Sequence, residues 1–117
     1  PAREVRGYIC FWLLEEEMSI HNIAVRPELR RNGIATRMLE EALRRSRRED
    51  ARRVTLEVRR SNLPAQRMYE KFGFSVKGVR PGYYSDTRED ALIMWADLQL
   101  IPLGADATVG KSGGGDV

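Results

Sequence analysis

Thiol and imidazole side chains are almost missing from this sequence, which has one cysteine, Cys10, and one histidine, His21. A single cysteine cannot close an internal disulfide, and two soft ligands are too few for a zinc site. We therefore expect no metal, and we expect a reducing compartment, the cytoplasm.

Long hydrophobic runs are missing as well. The longest, residues 9–14, ends at the three glutamates of 15–17, whereas a helix needs roughly 20 apolar residues to cross a bilayer. No apolar leader segment is evident, and we expect no membrane partner. With 117 residues and 42% hydrophobic composition, the chain is long enough for one folded domain and too short for two.

Acidic residues are fewer than basic ones, at 17 against 20, and the formal net charge is +3. The densest basic run, residues 44–48, is flanked by Glu40, Glu41 and Glu49, a pattern typical of the solvated face of an amphipathic helix. The sequence lacks the aromatic-rich strand pattern of common RNA-binding sheets. These features argue against nucleic acid as a partner.

The first half of the chain shows both periodicities of regular structure. Residues 5–18 and 19–25 alternate in the manner of two strands, and we expect them to form a hairpin. Apolar residues recur at helical spacing after Gly33, and this pattern predicts a helix that ends near Asp50.

The next segment predicts a strand followed by a helix. Residues 54–58 alternate so that Glu57 lies on the face opposite the aliphatic side chains. Asn62 is a suitable helix N-cap, with a proline in the first turn, and Gly73 supplies a left-handed C-terminal cap.

Two more strands are predicted at the end of the folded part. They cover residues 74–80 and 90–98, and a polar loop that contains Tyr83 and Tyr84 joins them. Residues 99–117 hold five of the ten glycines and no aromatic residue. We therefore expect a domain over residues 1–98 and a disordered tail after it.

The loop before the first helix is a candidate anion site. Small residues there allow a ligand to approach the unpaired amides of the helix N-terminus, where the helix dipole and arginine side chains stabilise phosphate. The alternative is an ordinary glycine-containing loop with two solvated arginines. The segment consists of Arg30, Arg31, Asn32, Gly33, Ile34 and Ala35.

Five blocks, in chain order, resemble the GNAT superfamily of N-acetyltransferases, and in particular its ribosomal-protein-alanine N-acetyltransferase branch. The blocks are residues 22–27, 30–35, 56–62, 65–74 and 83–94. The resemblance implies an α/β (α+β) fold with a mixed, mostly antiparallel sheet and flanking helices. The family's first strand, two following helices and second strand have no counterpart, so the chain resembles an N-terminally truncated member.

The resemblance also implies acetyl-CoA as cosubstrate and assigns binding residues. Its phosphates are implied to lie against Arg30, Arg31, Asn32, Gly33, Ile34, Ala35 and Thr36. Its pantetheine arm is implied to lie along Ile23, Ala24, Val25 and Asn62, although helix capping alone would also explain Asn62. The acceptor amine is expected beside Tyr83 and Tyr84.

Chemistry supports a base at Glu57, the position that the resemblance also implies. An amine attacks a thioester as the free base, yet a terminal amine has a pKa near 7.7–8.0, so its proton must be removed. The alternative is a structural carboxylate paired with Arg59 or with a helix arginine. His21 is a less favoured base, because Glu57 already fills that role.

The departing thiolate needs a proton donor, and the resemblance implies Tyr69. A phenol stays protonated at neutral pH and suits this role. Helical spacing alone would make Tyr69 a core residue, and the two roles are compatible because the ring can pack while the hydroxyl reaches out.

The leading hypothesis is acetyl transfer to a protein N-terminal amine, and the branch points to an N-terminal alanine of a small-subunit ribosomal protein. The alternatives are acetylation of lysine or a small amine, and a non-enzymatic basic module that binds the ribosome or RNA. Without the family's preceding strand, residues 5–14 would form an exposed edge. We expect this edge to pair with another chain, as in a homodimer.

Overall fold

The computed structural model describes residues 7–26 and 33–103. Five strands, two α-helices and a short 3₁₀ helix follow one another within these residues. They are β1 (Gly7–Leu14), β2 (Glu17–Val25), α1 (Ile34–Arg48), β3 (Arg53–Arg59), α2 (Leu63–Lys71), β4 (Ser75–Tyr84), β5 (Glu89–Asp97) and the 3₁₀ helix Leu98–Leu100. No helix among them is long and apolar enough to cross a membrane.

The predicted hairpin is confirmed as the antiparallel pair β1–β2, with Leu14 opposite Glu17. Glu15 has a φ of 57° and forms the tight turn. The second strand therefore begins at Glu17, two residues before the predicted start. Alternation cannot locate this boundary because Met18 is buried and continues the apolar pattern across the turn.

The strands form one sheet in the order β1-β2-β3-β5-β4. Three pairs are antiparallel, whereas β2 and β3 are parallel. This confirms the predicted mixed, mostly antiparallel sheet with flanking helices. The parallel contact is short, because it joins only Glu17–Ile20 to Arg53–Leu56. The sheet is consequently two antiparallel units that meet along four residue pairs.

The hydrophobic core lies on one face of the sheet, beneath both helices. Val54, Leu56 and Val58 alternate with exposed or half-buried residues along β3, and they belong to the same buried cluster as Leu39 of α1 and Tyr69 of α2. Burying such side chains stabilises the fold by about 1.5–3 kcal/mol each. Glu57 is accordingly on the opposite face, which we call the open face, as the alternation predicts.

The prediction that Tyr83 and Tyr84 lie in a loop is wrong. Both residues belong to β4, and the connection to β5 is confined to residues 85–88. Between the pairs Arg80–Ala91 and Tyr84–Glu89, β4 has two more residues than β5. This bulge contains Gly82 at a φ of 59°, so Pro-Gly here marks a distortion within a strand rather than its end.

The folded structure also continues past residue 98, where the predicted domain ends. Leu98 and Ile101 are buried, and a guanidinium nitrogen of Arg47 donates to their carbonyl oxygens at 3.4 and 3.2 Å. Ile101 and Leu103 thus pack against the core, which corrects the start of the predicted tail. The remainder, 104–117, lies outside the described residues.

The predicted pairing of residues 5–14 with a second chain stays a prediction. Within the described residues, β1 is the edge strand next to β2. Its side chains on the open face include Tyr8, Trp12 and Leu14, which are 52%, 66% and 74% exposed.

Ser46 offers a test of core packing. Its hydroxyl is fully buried in α1, with no hydrogen-bond partner among the described residues. An unsatisfied buried hydroxyl costs about 1–3 kcal/mol, and alanine has the higher helix propensity. We expect Ser46→Ala to raise the free energy of unfolding by about 1 kcal/mol in urea denaturation. The exposed Ser75→Ala should change it by less than about 0.5 kcal/mol, and a destabilised Ser46→Ala variant would contradict this account.

Candidate active site

A cleft of about 1010 Å³ opens where β2 and β3 separate. Their pairing stops at Ile20 and Leu56. At the same level the register of β1 against β2 shifts, so that Cys10 faces Asn22 while Phe11 faces Ile20. The additional residue, His21, makes a β-bulge, and bulges bend the strand that contains them. The bulge therefore accompanies the divergence of the two strands.

The N-terminus of α1 faces this cleft. Gly33, Ile34, Ala35 and Thr36 line it. Gly33, at a φ of 76°, is the N-cap of this 15-residue helix, and as a glycine it has no side chain to accept a hydrogen bond from the first amides. No acidic residue occurs in its first turn. The site thus offers unpaired backbone donors at the positive end of a long helix, the arrangement that binds phosphate.

The space at Gly33 fits a ligand close to the backbone. Within the described residues, and apart from its chain neighbours, a Cβ atom built at this position has no atom within 4 Å, so this part of the structure leaves the space beside the helix end open. These observations fit the pyrophosphate of acetyl-CoA. The other predicted phosphate ligands, Arg30, Arg31 and Asn32, lie outside the described residues.

The two walls of the cleft hold the residues predicted for the pantetheine arm. Ile23, Ala24 and Val25 line the β2 side. Asn62 lines the other side, and its side-chain oxygen accepts a hydrogen bond from the Ala65 amide at 3.2 Å. The predicted capping role of Asn62 is therefore confirmed, and the residue also belongs to the lining of the cleft.

Glu57 projects from β3 into the cleft, and its side chain is 30% exposed. It forms an ion pair with Arg80 of β4. The interaction with this carboxylate also raises the pKa of the Tyr83 hydroxyl. Glu57 is thus held from two sides on the open face while it remains accessible from the cleft.

The alternative pairing of Glu57 with Arg59 is not observed. Arg59 instead contacts Asp86 at 3.0 Å and Glu89 at 3.4 Å, and its guanidinium lies 4.0 Å from the Tyr84 ring centroid. The hydrogen bond to Asp86 raises the pKa of Arg59 and lowers the pKa of Asp86. This network fixes the end of the β4–β5 hairpin beside the cleft.

Tyr69 also lines the cleft, although it is only 7% exposed. Its ring packs at 5.6 Å against Phe74. Burial, with the neighbouring Tyr84, raises the pKa of Tyr69 to about 12. The phenol therefore stays protonated through the neutral range and can donate a hydrogen bond. Tyr69 therefore has both predicted features: its ring packs as a core residue, and the residue lines the cleft.

Tyr83 and Tyr84, the residues predicted to lie beside the acceptor amine, differ in their surroundings. Tyr84 lines the cleft, and burial raises its pKa. Tyr83 is 49% exposed, and its ring meets the Tyr84 ring edge-on at 5.1 Å. The pair forms an aromatic wall on the open face beside Glu57. Arg80 is a site residue that the sequence did not single out, because its contact with Glu57 crosses an intervening strand.

His21, the less favoured base, lines the same cleft. Its ring lies 4.5 Å from the Trp12 ring, and the exposed side chain is held against β1. Over the described residues, His, Cys, Asp and Glu side chains form no group of three that could hold a metal ion.

Several known proteins are similar to this chain in sequence. A sequence profile described as the acetyltransferase (GNAT) family matches residues 3–74. A relative from Bacillus subtilis (strain 168) is 44% identical over 92 residues, which are 79% of this chain and 61% of that protein. The Escherichia coli (strain K12) ribosomal protein bS18-alanine N-acetyltransferase is 38% identical over 87 residues, which are 73% of this chain and 59% of that protein. The chain spans about three fifths of the length of these relatives.

The fold agrees with the sequence match. The crystal structure of the ribosomal-protein-S18-alanine N-acetyltransferase from Escherichia coli superposes with a TM-score of 0.75 at 30% identity. This alignment covers 89% of the chain and 66% of that protein. The profile spans more than half of the sequence, and all residues that line the cleft except Tyr84 lie within the matched range. The chain belongs to the GNAT family of acetyltransferases.

Proposed function

We propose that this protein is a cytoplasmic enzyme that transfers an acetyl group from acetyl-CoA to the N-terminal α-amine of a protein. The observation that carries the proposal is the cleft between β2 and β3. It brings the N-terminus of α1, an anion-binding element, together with Glu57 and Tyr69, a carboxylate and a protonated phenol. This combination suits acyl transfer from a phosphate-bearing thioester.

Acetyl-CoA would supply the activated acetyl group, as a thioester. The amides at Ile34, Ala35 and Thr36 would hold its phosphates, with Arg30, Arg31 and Asn32 as further proposed ligands. The pantetheine arm would lie between the backbone of Ile23–Val25 and the Asn62 side chain. Holding both reactants in one cleft reduces the entropy lost in reaching the transition state.

Two side chains would move protons during the transfer. Glu57 would accept the proton of the incoming amine, directly or through water, so that the nitrogen lone pair is free to attack. Tyr69 would donate a hydrogen bond or proton to the departing sulfur. Transfer would be direct, because Cys10 lies on β1, outside the residues that line the cleft.

The acceptor class follows from amine chemistry and from the relatives. An α-amine has a pKa near 8 and a lysine amine near 10.4, so a carboxylate base deprotonates the α-amine far more readily. The matched Escherichia coli protein is named as an N-acetyltransferase for an alanine of ribosomal protein bS18. We propose a ribosomal-protein N-terminus that begins with alanine, reached past Tyr83 and Tyr84.

The test has two stages. Isothermal titration calorimetry measures acetyl-CoA binding to the 117-residue chain, and mass spectrometry then follows acetylation of a peptide that begins with alanine and contains one lysine. A matched peptide with a blocked N-terminus is the control. Acetylation of the first peptide alone is expected. Modification of the blocked peptide would indicate a lysine acetyltransferase, and absence of both binding and turnover would contradict the proposal.

Replacing Tyr69 with phenylalanine tests the proposed proton donor. We expect Tyr69→Phe to lower turnover by roughly 10²-fold, at the lower end of the usual range for acid–base groups, because a thiolate with a pKa near 8.5 is already a tolerable leaving group. The ring and its packing against Phe74 are kept. Steady-state kinetics and calorimetry check this, with the exposed Tyr8→Phe as control. A loss of acetyl-CoA affinity without slower turnover at saturation would instead indicate a binding role.

A further inference from the structure

One contact in the site has no place in the proposed mechanism. The Nε atom of Arg80 pairs with a carboxylate oxygen of Glu57, and the Arg80 guanidinium lies 5.8 Å from the Tyr83 ring centroid. We infer that Arg80 is a positioning residue that, together with Tyr83, fixes the Glu57 carboxylate for proton transfer. The inference rests on the proposed role of Glu57 as base.

The sheet leaves room for this contact across an intervening strand. Glu57 is opposite Ile93 of β5, whereas Arg80 is opposite Ala91, two residues away on the same face. In the row of Glu57, the β4 residue is Gly78, which has no side chain. Neighbouring strands are about 4.8 Å apart, so a contact over two strands requires a long side chain and small residues in its way. Arginine is long enough, and its own neighbour on β5 is Ala91. The larger Ile93, opposite Glu57, extends toward Gly78, with its Cδ1 atom 3.5 Å from the position of a Cβ at that glycine.

The bulge in β4 aligns the second partner of Glu57. It lies between Arg80 and Tyr84, and bulges redirect the side chains of the strand that contains them. The Gly82 amide donates to a carboxylate oxygen of Asp90 at 3.0 Å, and Asp90 also pairs with Arg60 at 3.3 Å. The bulge is therefore anchored to β5 and to the end of β3. This anchoring keeps Arg80 and Tyr83 beside the same carboxylate.

The two contacts orient the Glu57 carboxylate and leave some of its lone-pair positions free. An ionised carboxylate has about four lone-pair positions, which is more than its two partners, Arg80 and Tyr83, can fill. The remaining positions can accept a proton from an amine or a water in the cleft. The planar guanidinium of an arginine is also well suited to hold a carboxylate in one orientation. A misplacement of a reacting group by about 1 Å costs up to 10²-fold in rate.

A double-mutant cycle on the full 117-residue chain tests the inference. The four proteins are wild type, Arg80→Ala, Glu57→Gln and the double variant. The rate is read by mass spectrometry of an alanine-initiated peptide, which avoids thiol reagents that would react with Cys10. We expect Arg80→Ala to lower kcat by about 10- to 100-fold with little change in KM. In the Glu57→Gln background it should have almost no effect, and Arg80→Lys should recover part of the rate.

Several outcomes would overturn the inference. A rate increase in Arg80→Ala would show that Arg80 competes with the substrate ammonium, and an equal loss in both backgrounds would show that it acts independently of Glu57. Acetyl-CoA affinity and the thermal midpoint should stay near wild type, because Arg80 is 57% exposed; a rate loss that only tracks unfolding would also overturn it.

The failure of the proposed function has a different signature. If Glu57→Gln keeps the wild-type rate, the assignment of the base fails whatever Arg80 does. If the wild-type chain has no turnover, the proposed activity fails, and the positioning role of Arg80 fails with it. A failure of the inference alone leaves the wild-type rate and the Glu57→Gln deficit intact and changes only the effect of Arg80→Ala.

Discussion

Acetyl-CoA binding should be lost in a Gly33→Glu variant, with calorimetry showing no heat of binding at concentrations that saturate the wild-type chain. Gly33 caps α1 at a φ of 76°, and the position of a Cβ atom there is open, so the new side chain would project beside the helix N-terminus. Its carboxylate would occupy the amide donors and repel the phosphates. Loss of helix-end donors and addition of like charge act in the same direction.

Backbone strain must be separated from this electrostatic effect. Any L-residue at a positive φ costs about 1–2 kcal/mol. Gly73→Glu is the matched control, because Gly73 has a φ of 100°, an equally open Cβ position and no place in the lining of the cleft. Both variants should lose similar stability, and only Gly33→Glu should lose the ligand. Wild-type affinity in a folded Gly33→Glu protein would contradict the phosphate site.

The sequence predicted those features of the site that depend on local pattern. Period-two alternation along β3 was enough to place Glu57 opposite the buried Val54, Leu56 and Val58. The capping residues Asn62 and Gly73 gave the bounds of α2, because each meets a backbone requirement within its own turn. These patterns are local, so they predict the position of a residue without knowledge of the neighbouring strands.

The missed features depend on contacts between distant segments. Pro81 and Gly82 have the composition of a loop, and their role within a strand emerges only when β5 pairs on both sides of the bulge. Arg59 is nearer than Arg80 to Glu57 in sequence, yet strand order places Arg80 against the carboxylate. The burial of Ile101 likewise depends on packing against the core. The glycine-rich composition of the segment that follows predicts disorder and does not show this contact.

Turnover should fall by about 10²- to 10⁴-fold in Glu57→Gln, the range for loss of a general base. Glutamine keeps the size of the side chain and can still accept a hydrogen bond from Arg80 or Tyr83, but its amide cannot take a proton. Acetyl-CoA affinity should persist, because α1 and the β2 wall are unchanged. The variant therefore separates chemistry from binding, with kcat measured at saturating concentrations of both substrates.

The pH dependence of the rate distinguishes a proton-accepting role of Glu57 from an orienting role. A terminal amine with a pKa near 7.7–8.0 is mostly an ammonium at pH 7 and mostly a free base at pH 9. The enzyme needs a base less as the pH rises, so the ratio of wild-type to Glu57→Gln rates should shrink between these pH values. Glu49→Gln, an exposed carboxylate on the C-terminal cap of α1, should keep the wild-type rate. A Glu57→Gln deficit that stays constant from pH 7 to 9 would show that Glu57 acts by orienting the substrate rather than by accepting its proton.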